Sequence, residues 1–107
     1  MDPLVLPQNP TLPDFQTYIA RMVKERGFCR GTVAETFMLL MEECGELAKA
    51  ARKATGMKTD AQSEAFRLEG EFADVFIYLL DLCNQLGVDL EKAFRDKEGL
   101  NKKRVWK

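Results

Sequence analysis

The sequence predicts an all-α fold of four helices. Three observations carry it. Beyond residue 12 the apolar residues recur at three- and four-residue intervals, and the alternation that marks strands is absent. Capping residues open these stretches and glycines close them: Thr11 with Asp14, Thr32 with Glu35 and Asp89 at the starts, Gly27, Gly56 and Gly87 at the ends. All four prolines, Pro3, Pro7, Pro10 and Pro13, fall at the N-terminus, so none interrupts a later helix.

Residues 1–13 read as an extended, proline-rich arm, and 14–107 as one helical domain. The first helix is expected from about Leu12 to Arg26, with Phe15, Tyr18, Ile19 and Met22 on its apolar face. The second is expected from about Val33 to Thr55. At about 100° per residue, Phe37, Leu40, Met41, Cys44, Leu47, Ala48 and Ala51 gather on one side, which predicts the buried face. The third begins near Ser63 and ends at Leu86. The fourth opens at the N-cap Asp89 and runs through "LEKAFRDKEGLNKKR", with Gly99 as a weak point in its middle. Short connections favour antiparallel neighbours, as in a helical bundle.

Composition bounds the function. The formal net charge of −1 gives no basic surface for a nucleic-acid polymer. No apolar run is long enough to span a membrane, and "MDPLVLPQNP" lacks a basic signal-peptide start. Cys29, Cys44 and Cys83 are odd in number and widely spaced, which argues against a disulfide framework or a zinc site and fits a reducing cytoplasm. The chain has no histidine, so triad chemistry is excluded and any hydrolysis must run on carboxylates, lysines, a tyrosine or a metal.

Two helices carry acids in suggestive places. On the second, Glu35, Glu42 and Glu46 lie within about 40° of one another, with Glu43 on their flank. Taken alone this is a solvated face, supported by pairs such as Glu46 to Lys49. On the third, Glu71, Asp74, Tyr78 and Asp81 share a stripe on a helix that is apolar around most of its circumference. Such a helix is built for burial, and in so small a protein a second chain is expected to cover it. Two carboxylates about 6 Å apart repel by roughly 3 kcal/mol at an effective dielectric of ~20. A convergence of several must take up protons or a cation, and an all-oxygen donor set favours Mg²⁺, with Mn²⁺ as a substitute.

"EECGE" (Glu42, Glu43, Glu46) followed by "EFAD" (Glu71, Asp74) resembles the E-x-x-E … E-x-x-D signature of the MazG-like all-α nucleoside triphosphate pyrophosphohydrolases. "DKEGLNKKRVW" resembles the basic tail of that family through Lys97, Asn101 and Arg104. The likeness covers about Thr32 to Trp106. It implies four-helix protomers that assemble through helix bundles into homodimers or homotetramers. It also implies Mg²⁺-dependent cleavage of a (d)NTP between its α- and β-phosphates, giving (d)NMP and pyrophosphate, in a house-cleaning role. By that resemblance Glu43, Glu46, Glu71 and Asp74 are metal ligands. The water-activating carboxylate is one of Glu42, Glu43 or Glu46. Tyr78 corresponds to an active-site position of the dCTP-hydrolysing relatives, and Lys97, Asn101 and Arg104 hold phosphates or sugar.

Each assignment has a plainer competitor. Tyr78 equally suits a boundary position, and Lys97 and Arg104 suit a solvated helix end that complements the dipole. Phe15, Tyr18 and Phe28 serve a base or a core equally well. Asp81 reads as surface or interface, and Trp106 as a packing anchor. The competing functions are a phosphoribosyl-ATP pyrophosphohydrolase of the same superfamily and a catalytically silent helical dimerisation module.

Overall fold

The computed structural model describes residues 4–27, 31–56 and 65–105, with side chains described from residue 68 in the last of these segments. Its elements are α1 (Leu12–Glu25), α2 (Val33–Ala54), α3 (Ala65–Leu86) and α4 (Leu90–Lys102), with no strand among the described residues. Phe28, Cys29, Ser63 and Trp106, each assigned a role above, lie outside the described residues.

The helix starts follow from reciprocal capping. Thr11 Oγ1 accepts from the Asp14 amide at 3.3 Å while the Asp14 carboxylate accepts from the Thr11 amide at 2.9 Å. Thr32 and Glu35 repeat the arrangement at 3.1 and 2.8 Å. Asp89 accepts from the Lys92 amide at 3.2 Å. The ends of α1 and α3 turn on Gly27 and Gly87, whose φ values of 75° and 70° suit glycine far better than any L side chain. After Gly87 the Val88 amide reaches back to the Cys83 carbonyl at 2.8 Å, which closes α3 and releases the chain toward α4. Gly99 does not interrupt α4, which is reinforced by the i, i+4 pairs Glu91–Arg95 and Lys92–Asp96.

α3 is the central element, packed against α1 on one side and α2 on the other. Its α1 side forms the core: Ile19 and Met22 meet Leu80, which is fully buried, and Leu4 and Leu12 close over them. Phe15 and Phe76 meet edge to face with centroids 5.4 Å apart. A polar clasp holds the α3–α4 turn against α1. Gln16 Nε2 donates to the Asn84 side chain at 3.0 Å and the Val88 carbonyl at 2.9 Å, and Gln16 Oε1 accepts from the Leu90 amide at 2.9 Å. Asn84 Nδ2 returns a bond to the Gln16 carbonyl at 2.9 Å. On the other side, Gln85 Nε2 donates to the buried Thr36 Oγ1 at 2.8 Å and ties α3 to α2.

The buried face of α2 differs from the one its periodicity predicts. Thr36, Leu40 and Ala50 are buried, with Glu43 and Leu47 half-buried along the same line. Phe37, Met41 and Ala48 are exposed, Phe37 at 46% and Met41 at 59%. The apolar arc is wider than one neighbour can cover. α3 takes one edge of it, the edge that includes Glu43, and leaves the other open. α3 has a matching open stripe in Phe72, Leu79 and Leu86, spaced seven residues apart.

Candidate active site

The seam between α2 and α3 brings carboxylates together. Oxygens of Glu43, Glu71 and Asp74 lie within 4.8 Å of one another. Glu43 and Glu71 are half-buried and Asp74 is exposed. The rotation of α2 that uncovers Phe37 is what points Glu43 inward. Glu71 and Asp74, three residues apart, present one face of α3 to it. Loss of solvent raises the Glu43 pKa above its ordinary 4.5, and the charges of Asp74, Glu71 and Glu42 and a side-chain hydrogen bond with Glu71 push it the same way. Glu43 is thus the member of the cluster whose charge burial and the neighbouring carboxylates oppose.

This donor set fits a hard divalent cation. It offers only oxygen ligands, from two packed helices, and the proton affinity of Glu43 is raised by the acids beside it. Glu42 is exposed and Glu46 half-buried on α2. Both stand outside the convergent trio, and Glu42 is near enough to raise the proton affinity of Glu43.

Tyr78 lies beside the cluster. Partial burial raises its pKa, and the charges of Glu43, Asp74, Glu42 and Asp81 add to the shift. The phenol, protonated at neutral pH in any case, is a hydrogen-bond donor near several carboxylates. Lys97, Asn101 and Arg104 belong to α4 and the residues just after it. α4 packs on α1, has no buried residue, and contributes nothing to the lining of the cavity beside the acids.

That cavity, of about 500 Å³, lies between α1, α2 and α3. Met22, Val23, Leu39 and Ile77 give it apolar walls. Asp74 and Tyr78 open it toward the acid cluster, and Arg26 and Asp81 supply further polar groups. Asp81 and Arg26 were not singled out as site residues from the sequence. The signal for Asp81 was its place on the Glu71–Asp74–Tyr78 stripe, one turn beyond Tyr78. Arg26 carried no signal, because its position in the cavity depends on how α1 packs.

An all-α protomer with a carboxylate trio fit for a divalent cation, opening into an apolar cavity, defines a class of helical, acid-centred sites. Residues 31–104 match the MazG nucleotide pyrophosphohydrolase domain, and the chain belongs to that family. A protein of Salmonella phage PMBT28 named dATP/dGTP diphosphohydrolase is 34% identical over 96 residues, which are 90% of this chain and 28% of that protein. One of the same name from Cyanophage S-2L is 37% identical over 76 residues, 71% of this chain and 56% of that protein. The chain thus spans little more than a quarter of the first relative and about half of the second. No helix among the described residues is long and apolar enough to cross a membrane.

Proposed function

We propose that the protein is a Mg²⁺-dependent nucleoside triphosphate pyrophosphohydrolase that cleaves a deoxynucleoside triphosphate between its α- and β-phosphates, releasing the monophosphate and pyrophosphate. The observation that carries this reading is the convergence of Glu43, Glu71 and Asp74 at the mouth of a cavity large enough for a nucleoside. Family membership supports the reaction, and the names of the two relatives support purine deoxynucleotides as substrates.

Glu43, Glu71 and Asp74 would hold the cation, with Glu46 one turn along α2 from Glu43 as a fourth ligand. Mg²⁺ bound there would offset the charge of the triphosphate and polarise the attacked phosphorus. A carboxylate of α2 would accept the proton of an attacking water. Glu42, outside that ligand set, is the member we assign to that duty. Tyr78 would donate its phenol proton in a hydrogen bond to a phosphate or sugar oxygen. Lys97, Asn101 and Arg104 supply phosphate contacts only if α4 of another copy comes to the α2–α3 seam.

A second copy would also cover surface that the protomer leaves open. The chain's radius of gyration is 16.7 Å, against about 13 Å for a compact domain of this length. Its surface of 8229 Å² exceeds the roughly 6,100 Å² of a folded monomer of 12.2 kDa. The open apolar edge of α2 and the Phe72–Leu79–Leu86 stripe of α3 are suited to cover one another in a dimer or tetramer.

The deciding experiment is pyrophosphate release from a panel of dNTPs and from phosphoribosyl-ATP, with and without Mg²⁺, by the wild type and by Glu71→Gln. We expect Mg²⁺-dependent release from dNTPs that falls at least ~100-fold in the variant. Equal turnover by the two proteins would remove the acid cluster from the chemistry.

A further inference from the structure

We propose that the cavity beside the acid cluster seats the nucleobase, and that Asp81 and Arg26 make it a reader of guanine. The inference rests on the pyrophosphohydrolase reading for its substrate class and adds the discrimination between purines. Asp74 belongs both to the acid cluster and to the cavity lining, so a ligand whose phosphates lie at the acids extends into this space. Asp81 stands seven residues further along α3, about 10.5 Å by helical rise. That is the reach of a nucleotide from its phosphates to the far edge of its base. Met22 and Ile77 give apolar walls for a planar ring.

The two charged groups that line the cavity beside Asp74 have a definite sense. An aspartate carboxylate only accepts hydrogen bonds, and an arginine guanidinium only donates them. Both side chains line the cavity, yet they form no ion pair with each other, and neither has a side-chain hydrogen bond to another described residue. Guanine presents two adjacent donors, N1–H and the 2-amino group, followed by the acceptor O6. The carboxylate meets the two donors and the guanidinium meets O6. Adenine presents an acceptor at N1 and a donor at its 6-amino group. It leaves Asp81 facing a lone pair and Arg26 facing an N–H. A site built to receive donors discriminates strongly against an analogue that lacks them. Hypoxanthine keeps N1–H and O6 but lacks the 2-amino group, so dITP falls between the two purines.

The test compares kcat/KM for dGTP, dITP and dATP in the wild type, Asp81→Asn and Arg26→Gln, with thermal melts to confirm folding. The expected wild-type order is dGTP, dITP, dATP. Asn offers one donor and one acceptor and so matches adenine. Asp81→Asn should therefore lower the dGTP-to-dATP ratio by roughly 10- to 100-fold, the range for loss of a charge-assisted hydrogen bond. Arg26→Gln should lower it less. An unchanged ratio in an active, folded Asp81→Asn protein overturns the base-reading role and leaves the pyrophosphohydrolase reading standing. If the wild type releases pyrophosphate from no dNTP, that broader reading fails instead. The pocket is then judged by calorimetric binding of dGMP and dAMP, where a preference for dGMP that Asp81→Asn abolishes supports the inference and equal affinities overturn it.

Discussion

Replacing Glu43 with glutamine should make the metal-free protein more stable and the metal-loaded protein less so. Glu43 faces Glu71 and Asp74 with oxygens inside 4.8 Å. At that distance a pair of charges repels by about 3.5 kcal/mol at a dielectric of ~20 and about 0.9 kcal/mol in water. Asp74 is exposed and Glu43 only half-buried, so solvent and salt pull the figure toward the lower end. Relief of two such pairs comes to about 1–3 kcal/mol, and each kcal/mol moves the melting point of a domain this size by about 4 °C or more. A glutamine amide can still donate to Glu71, so the hydrogen bond between the two positions survives. The pH dependence has a definite sign. The folded state raises the proton affinity of Glu43, so its favourable contribution is present in acid, below 4.5, and is lost as pH rises through the raised value. Glutamine removes that loss. The assay is calorimetric melting in EDTA and in rising MgCl₂, at several pH values. The wild type should gain about 2.7 kcal/mol at a Mg²⁺ concentration 100 times the dissociation constant, the variant far less, and the two curves should cross. A Glu43→Gln protein that melts below the wild type in EDTA at neutral pH would refute the account of repulsion held in check for a cation.

Three other outcomes are expected. Gln16→Ala removes the donors and acceptor that clasp Asn84, Val88 and Leu90. It should cost about 1–3 kcal/mol and speed hydrogen exchange at the Leu90 amide, which mass spectrometry or NMR would detect. Phe72→Asp places a charge on the exposed α3 stripe and should shift sedimentation toward the monomer, whereas an unchanged profile would locate the contact elsewhere. If α4 of one copy serves the acids of another, mixing inactive Glu71→Gln with inactive Lys97→Ala protein should restore part of the pyrophosphate release. No recovery after subunit exchange would place both residues in one chain's site or leave Lys97 out of it.

The helices were legible because their signals are local. A threonine with an acid three residues on, or a glycine after the last apolar turn, acts through bonds within a few residues of chain. Glu71 and Asp74 were legible as a pair because i, i+3 spacing puts them on one face of α3, whereas Glu43, which periodicity left on the flank of Glu42 and Glu46, was marked only by the family resemblance. The orientation of α2 was not legible. Its apolar residues cover an arc broad enough for two neighbours, and periodicity gives the centre of that arc without saying which edge the protomer buries and which it leaves open. Phe37 and Met41 fell on the open edge for that reason. Arg26 was invisible for a different one, since a cation at a helix C-terminus has a sufficient local explanation in the helix dipole.

The same turns of α3 that carry the acids carry the exposed stripe, and this ties the site to assembly. Phe72 sits between Glu71 and Asp74, and Leu79 follows Tyr78. Facing acids weaken the α2–α3 seam of an isolated protomer, while open apolar area on both helices forgoes about 25 cal/mol for each Å² left in water. A cation relieves the first deficit and a second chain the second. Both act on one pair of helices in one relative position, since Glu43 can meet Glu71 only if α2 keeps the rotation that leaves Phe37 and Met41 outward. Whatever fixes that rotation therefore favours both, and by linkage each raises the affinity for the other. On the proposed function, holding Glu43 inside would be what leaves Phe37 and Met41 in water until a second chain covers them.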